Sequence, residues 1–226
     1  MKTIGIILTP IAGTKSFGIN TAYIQYFMKF GKVELINPMN NEVKPLDLLV
    51  LPGGADVDPK RYNAEPDFKC GKPNLFLERF DTKVLPKYYE ALNTGVVKNI
   101  FGICRGFQSI GVDFGNPLVQ DFPFESSDYN DRGETVDKML VGEEKFNINS
   151  IHHQGFFTVN DQIEVIGYSQ NEGNIECFKV KDKRIWGVQY HPEELFKDKF
   201  TPNLIKSILG TKEAKINKIK SKSYKL

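Results

Sequence analysis

The sequence predicts an α/β fold: an open, mostly parallel sheet flanked by helices, with a small antiparallel ribbon added in the second half. Three observations carry this expectation. Short apolar, β-rich runs alternate with helix-period stretches from residue 4 to residue 113. One run ends directly in Pro52-Gly53-Gly54, a breaker at a strand's C-terminal end, where open α/β sheets place their ligands. From 138 to 189 the pattern changes to short alternating strands split by turns.

The elements follow in order. Residues 4–8 read as the first strand. Lys2 followed by the apolar stretch 4–12 has the outline of a short signal-peptide core, but Gly5, Thr9 and Pro10 interrupt it, and a buried strand ending at a turn accounts for the pattern. A helix is expected over 20–30, where Ile24, Phe27 and Met28 recur at helical spacing, then a short strand at 33–36 and a third at 46–51. The stretch 75–92 places Leu77, Phe80, Val84, Leu85, Tyr88 and Leu92 at helical spacing, with Pro86 as the point of a kink. A strand at 99–104 leads into a helix at 105–113. Further strands are expected at 146–151, 162–168, 175–180 and 185–189, separated by turns such as Asn171-Glu172-Gly173-Asn174 and Lys181-Asp182-Lys183. A helix over 195–209, stopped by Gly210, closes a single domain of residues 1–210.

Composition narrows the class of function. At 226 residues, 40% hydrophobic with 17 Phe and 9 Tyr, the chain can bury a sizeable core, which excludes a disordered or collagen-like protein. Three Cys and three His are too few for a framework of two disulfides or a four-Cys zinc site, so a reducing, cytoplasmic setting is expected and each thiol is judged individually. A net charge of +2 gives no reason to expect a nucleic-acid partner, and no run approaches the ~18 apolar residues of a membrane helix. The charge is uneven: residues 211–226 hold six Lys and one Glu, a basic tail of net +5 that leaves −3 for the rest. A solvated extension is the expectation for that tail.

Two motifs carry chemistry. Gly102-Ile103-Cys104-Arg105-Gly106 lies between an apolar strand and a helix. A nucleophile elbow needs this arrangement: the nucleophile sits on a sharp strand-to-helix turn, and flanking glycines remove side chains that would clash. The helix N-terminus favours a thiolate, and the N–H after the nucleophile can bind an oxyanion. A buried structural Cys beside a tight turn is the alternative. The second motif, Gly187-Val188-Gln189-Tyr190-His191-Pro192-Glu193, ends another predicted strand, with His191 and Glu193 two apart on one side of an extended segment. A base and its orienting acid beside a thiol make a Cys–His–acid triad.

In combination these residues resemble a known family. Leu51-Pro52-Gly53-Gly54, Gly102-Ile103-Cys104-Arg105-Gly106-Phe107-Gln108 and Val188-Gln189-Tyr190-His191-Pro192-Glu193, in that order, are similar to the class I glutamine amidotransferase superfamily. Asp56-Val57-Asp58-Pro59 and Ser150-Ile151-His152-His153-Gln154 resemble its γ-glutamyl hydrolase-like branch, which includes γ-glutamyl-γ-aminobutyrate hydrolases. The match spans about residues 1–209 and implies a flavodoxin-like sheet with no cofactor. It implies Cys104 as nucleophile on a γ-glutamyl carbonyl, His191 as the proton carrier and Glu193 as its orienter, through a γ-glutamyl thioester that water hydrolyses. It also implies an oxyanion hole from the backbone N–H groups of Gly54 and Arg105, and a substrate pocket shaped by Gly53, Gly54, Gln108, His153 and Gln154.

The sequence also departs from the family. An Arg-Asp pair followed by Glu is frequent in the helix after the Gly-Gly loop; here Glu78-Arg79-Phe80-Asp81 carries an extra residue, so the resemblance assigns Arg79 and Asp81 no role and a solvated helix face is the simpler expectation. A metal site of His152, His153 and His191 is not expected, because adjacent histidines on a strand point to opposite faces and no carboxylate sits at ligand spacing. Cys70 in a turn-rich loop, Cys177 on an alternating strand and Trp186 are expected to be structural. Three functions compete: a free-standing hydrolase of a small γ-glutamyl amine, a glutaminase half that passes ammonia to a separate synthetase, and a retired scaffold. The intact Cys104/His191/Glu193 set argues against the last, and the His-His-Gln and Gly-Ala-Asp-Val-Asp-Pro segments favour the first.

Overall fold

A computed structural model describes residues 1–122, 137–195 and 197–210. The 211–226 tail lies outside the described residues. The core of the molecule is a nine-stranded sheet in the order β4-β1-β5-β6-β11-β10-β9-β7-β8. The first five in that order are parallel: β4 (Lys32–Ile36), β1 (Thr3–Ile7), β5 (Leu48–Leu51), β6 (Ile100–Ile103) and β11 (Ile185–Val188). The rest, β10 (Ile175–Val180), β9 (Ile163–Ser169), β7 (Asp137–Val141) and β8 (Glu144–Ile148), run antiparallel to their neighbours. The predicted fold class and its antiparallel extension are therefore present. A two-stranded sheet of β2 (Thr9–Pro10) and β3 (Phe17–Gly18) stands apart.

The inner strands are apolar throughout because both faces are covered. In β5, Leu49 and Leu51 face one core with Phe80, Leu85, Tyr88, Phe107 and Ile110; Leu48 and Val50 face the other with Tyr23, Phe27, Leu204 and Ile205. The first face is covered by α2 (Leu75–Arg79), α3 (Leu85–Thr94) and α4 (Arg105–Asp113), the second by α1 (Thr21–Phe27) and α5 (Phe200–Ile208). Each fully buried Leu, Ile or Phe contributes about 1.5–3 kcal/mol, so this double core dominates stability.

Several expectations need correction. In α1 the buried face is Tyr23, Tyr26 and Phe27, while Met28 is exposed and Ile24 only half-buried. The tyrosines face inward because their hydroxyls find partners there, Gly53 N–H for Tyr23 and Asp198 for Tyr26. The helix expected over 75–92 keeps its predicted buried face but is interrupted by a π-helical turn, Phe80–Val84, in which Leu85 N–H bonds to Phe80 O five residues back. Pro86 at the next position lacks the N–H an α-helix would need there. The closing helix starts at Phe200 rather than 195, since the Asp198 carboxylate accepts from the Phe200 and Thr201 N–H groups and Pro202 is tolerated in a first turn. The strand expected at 146–151 ends at Ile148, so residues 149–155 form a loop.

Candidate active site

The C-terminal ends of β5, β6 and β11, adjacent in the sheet, bring the predicted residues together. Ile103 pairs with Val188, and Cys104 N–H bonds to Val188 O at 2.9 Å, so the Cys104 turn and the His191 segment leave the sheet side by side. Cys104 is buried, with φ 51° and ψ −109°, outside the regions an L-residue prefers. Helix α4 begins at the next residue, as an elbow requires. The flanking glycines are dictated by backbone contact. A Cβ on Gly102 would stand 2.6 Å from Gly106 O, and one on Gly106 2.2 Å from Leu51 O.

His191 is positioned from three directions. Its Nδ1 lies 2.7 Å from Glu193 Oε1, leaving Nε2 for the thiol. The reason differs from the extended segment expected: a 3₁₀ turn, Pro192–Glu194, folds Glu193 back against the ring. Asn149, fully buried, grips the His191 backbone with both ends of its amide, donating from Nδ2 to His191 O at 3.0 Å and accepting the His191 N–H on Oδ1 at 2.8 Å. Tyr23 OH, 3.4 Å from His191 Nδ1, accepts the Gly53 N–H at 3.0 Å. Burial pushes the His191 imidazole down, but the charge and hydrogen bonding of Cys104 and Glu193 outweigh it and hold the ring well above its ordinary value. Burial and the Glu193 charge keep the Tyr23 phenol protonated far above its usual range.

Beside the elbow, the Gly53-Gly54 loop packs closely: a Cβ on Gly53 would meet His191 Cε1 at 2.8 Å, and one on Gly54 would meet Arg105 Cδ and Leu77 Cδ1 at 3.0 Å. The Arg105 side chain donates from Nε to Ala55 O at 2.8 Å and forks onto Glu78 Oε1 and Asp81 Oδ2, each at 2.8 Å. Arg61 joins the same acids, with Nη1 2.6 Å from Asp81 Oδ2 and Nη2 2.5 Å from Asp113 Oδ1. Asp81 is thus buried and doubly paired, which corrects the solvated reading of its helix face; Arg79 instead reaches Met39.

The expected pocket residues separate. Gln108 and Gln154 are buried together behind the elbow: Gln108 Nε2 donates to Gln154 O at 2.9 Å and approaches Gln189 Oε1 at 3.4 Å, while Gln154 Nε2 donates to Gln120 O at 3.1 Å. His152 is buried and His153 half-buried, and they do point apart, although from a loop rather than a strand. His152 Nε2 lies 3.6 Å from Glu176 Oε1. His153 sits between Asp56 and Asp121, 3.2 Å from each, so the fold supplies carboxylates that sequence spacing did not suggest. The Asp56 hydrogen bond leads the effects that raise the His153 imidazole; burial opposes it. Among the described residues no group of three or more His, Cys, Asp or Glu has an arrangement able to hold a metal. Cys70 is raised by burial and the Asp56 charge, and Cys177 far above the thiol range by burial; neither pairs with an imidazole in the way Cys104 does. No helix among the described residues is long and apolar enough to cross a membrane.

Tyr23, Asn149, Arg61, Glu78 and Asp81 are the site residues that sequence reasoning missed or set aside. One signal was available for Asp81, the extra residue in Glu78-Arg79-Phe80-Asp81, because a π turn is how a helix absorbs one added residue.

Comparison with known proteins gives the family and the fold. The sequence profile of Peptidase C26 matches residues 10–193. The glutamine amidotransferase-like protein YvdE of Lactococcus lactis subsp. lactis is 30% identical over 192 residues, 76% of this chain and 79% of that protein. Among solved structures, a GMP synthase component from Thermoplasma acidophilum superposes with a TM-score of 0.64 at 20% identity, covering 93% of each chain. A glutamine amidotransferase from Thermotoga maritima superposes at 0.54 with 13% identity, covering 85% of this chain and 76% of that one. At those identities the two structures speak to the fold, and the fold is that of class I glutamine amidotransferases.

Proposed function

The chain belongs to the Peptidase C26 family, of the class I glutamine amidotransferase-like enzymes, and from that premise we propose that it hydrolyses a small γ-glutamyl amine as a free-standing enzyme with a Cys104–His191–Glu193 triad. The observation that carries this is the His191 ring, its Nδ1 2.7 Å from Glu193 Oε1, with Cys104 and Glu193 raising the imidazole against its burial. In this reading the Cys104 sulfur attacks the γ-carbonyl carbon as a thiolate, and the carbonyl π pair moves onto oxygen. Backbone N–H groups of Gly54 and Arg105 receive that oxyanion. His191 Nε2 then gives its proton to the departing amine as the C–N bond breaks, leaving a γ-glutamyl thioester. Water attacks the thioester, its proton passes to His191, and the C–S bond breaks to release glutamate and the thiolate. In this reading His153, half-buried between Asp56 and Asp121, borders the pocket, while Gln154 is buried with Gln108.

A second reading, a glutaminase that delivers ammonia to a separate synthetase, draws on the amidotransferase-like name of the Lactococcus relative. One experiment divides the two. Under the hydrolase reading, the purified chain releases amine from a panel of γ-glutamyl amines unaided, and Cys104→Ser abolishes the release. Activity confined to glutamine and dependent on an added partner overturns it. A thiol-directed probe should also label Cys104 faster than Cys70; equal rates would mean an unactivated site.

A further inference from the structure

Between the Gly-Gly loop and the elbow lies a charge cluster that the reaction itself does not use. Residues 52–58 have no regular structure, and Gly54 and Arg105 are 51 positions apart in the chain, so something must set the spacing of their N–H groups. The loop is tied at Ala55, whose carbonyl accepts from Arg105 Nε at 2.8 Å, and at Asp58, whose N–H reaches Glu78 Oε1 at 3.3 Å. Glu78 Oε1 also receives Arg105 Nη2 at 2.8 Å. We propose that the Arg105 side chain is a positioning group: it straps the Gly-Gly loop to α2 and the π turn and thereby sets the geometry of the oxyanion hole formed by the Gly54 and Arg105 N–H groups. The inference rests on the hydrolase reading and deepens it.

The chemistry of the side chain supports this role over substrate recognition. All three guanidinium nitrogens are spent internally, on Ala55 O, Glu78 and Asp81, and the side chain is 5% exposed. The two N–H donors left over, one on each terminal nitrogen, sit on a side chain too buried to present them to a substrate carboxylate. The surroundings are electrostatically wrong for an anion as well, because the two arginines, Arg61 and Arg105, face three carboxylates, Glu78, Asp81 and Asp113. A planar, permanently charged fork suits the task, since one rigid group reaches a carbonyl and two acids at once. The π turn completes the device: α2 ends at Arg79, and the wider turn that follows carries Asp81 inward to meet both guanidinium groups.

Arg105→Lys and Arg105→Ala both keep the backbone N–H, so the side chain can be tested separately. In the full chain, the rate at which p-nitrophenyl acetate acylates Cys104, which passes through an oxyanion, is compared with the rate at which iodoacetamide alkylates it, which does not. Arg105→Lys keeps a positive charge beside Glu78 and Asp81 but cannot also span to Ala55 O. It should lower the acylation-to-alkylation ratio about tenfold, and Arg105→Ala about 100-fold. Asp81→Asn, which weakens the anchor, should lower it several-fold and provides the measurement if Arg105→Ala does not fold. An unchanged ratio in Arg105→Lys, or equal losses of both rates, would overturn the proposal, since either leaves the side chain purely structural. Turnover of γ-glutamyl amines is followed in the same preparations. If the unsubstituted protein shows none while the ratio still drops in the variants, the hydrolase reading falls and the strap stands.

Discussion

The two flanks of Cys104 are both built on charge, and they differ in what the charge can do. On one flank a single imidazole faces Cys104 and Glu193, with Asn149 and Tyr23 fixing its place; its protonation can change during a reaction. On the other, two guanidinium groups are locked among three carboxylates, and those carboxylates raise Arg61 further even against its burial. Proton transfer needs a group whose charge can vary near neutral pH. Holding a loop needs charges that do not, which the two guanidinium groups supply. The same C-terminal end of the parallel strands serves both by placing a histidine after β11 and an arginine after β6.

The largest test of this contrast is Glu193→Gln, which keeps the size of the side chain but cannot stabilise an imidazolium. It should lower kcat by about 10³ with little change in KM, by analogy with acid-to-amide changes in other triads. A loss below tenfold would erase the distinction between the flanks. Asn149→Ala should cost about tenfold in kcat, because the His191 backbone loses both amide contacts while the Glu193 bond remains. A loss seen only in KM would place Asn149 with the pocket instead. Cys104→Gly should abolish turnover yet raise stability by about 1–3 kcal/mol, since glycine relieves the positive φ of the elbow; a lowered melting temperature would count against strain there.

The smallest effect concerns the fixed flank. Partial desolvation of a side chain that stays 22% exposed, with the Asp81 charge, raises the Asp113 carboxyl to about 6 despite Arg61. Its folded value therefore exceeds the unfolded one near 3.9, and the folded state keeps a proton that the unfolded state releases between about pH 4 and 6. This carboxyl thus favours the folded state below that window, and its contribution is lost as pH rises through 6. Asp113→Asn should flatten the decline in melting temperature between pH 5 and 7. An identical decline in the variant would remove Asp113 from the account.

How much could be read beforehand follows from where periodic signals exist. The buried strands around the site were legible because both of their faces are apolar. The helix expected at 105–113 and the strand expected at 175–180 match the structure. His191 and Glu193 were legible as a pair, although the turn that joins them was not. Arg61, Glu78 and Asp81 were illegible because their partners lie on different elements, and an ion pair across a fold leaves no spacing rule in one chain. Tyr23 was passed over for Ile24 and Met28, since side-chain apolarity alone does not reveal a hydroxyl with a buried partner. Asn149 lies just past the end of β8, where the expected strand had been drawn through it.

Strand β11 lies between a parallel neighbour, β6, and an antiparallel one, β10. This has a consequence for biosynthesis. Residues 185–188 are made about 85 positions after Cys104, a delay of roughly 4–17 s at ordinary translation rates. Until they arrive, β6 is an apolar sheet edge, open to pairing with other chains, and the nascent thiol has no imidazole beside it. Insertion of one strand closes the edge and completes the site together. The unfinished polypeptide thus exposes an edge and leaves the thiol without its imidazole, and one late event ends both conditions.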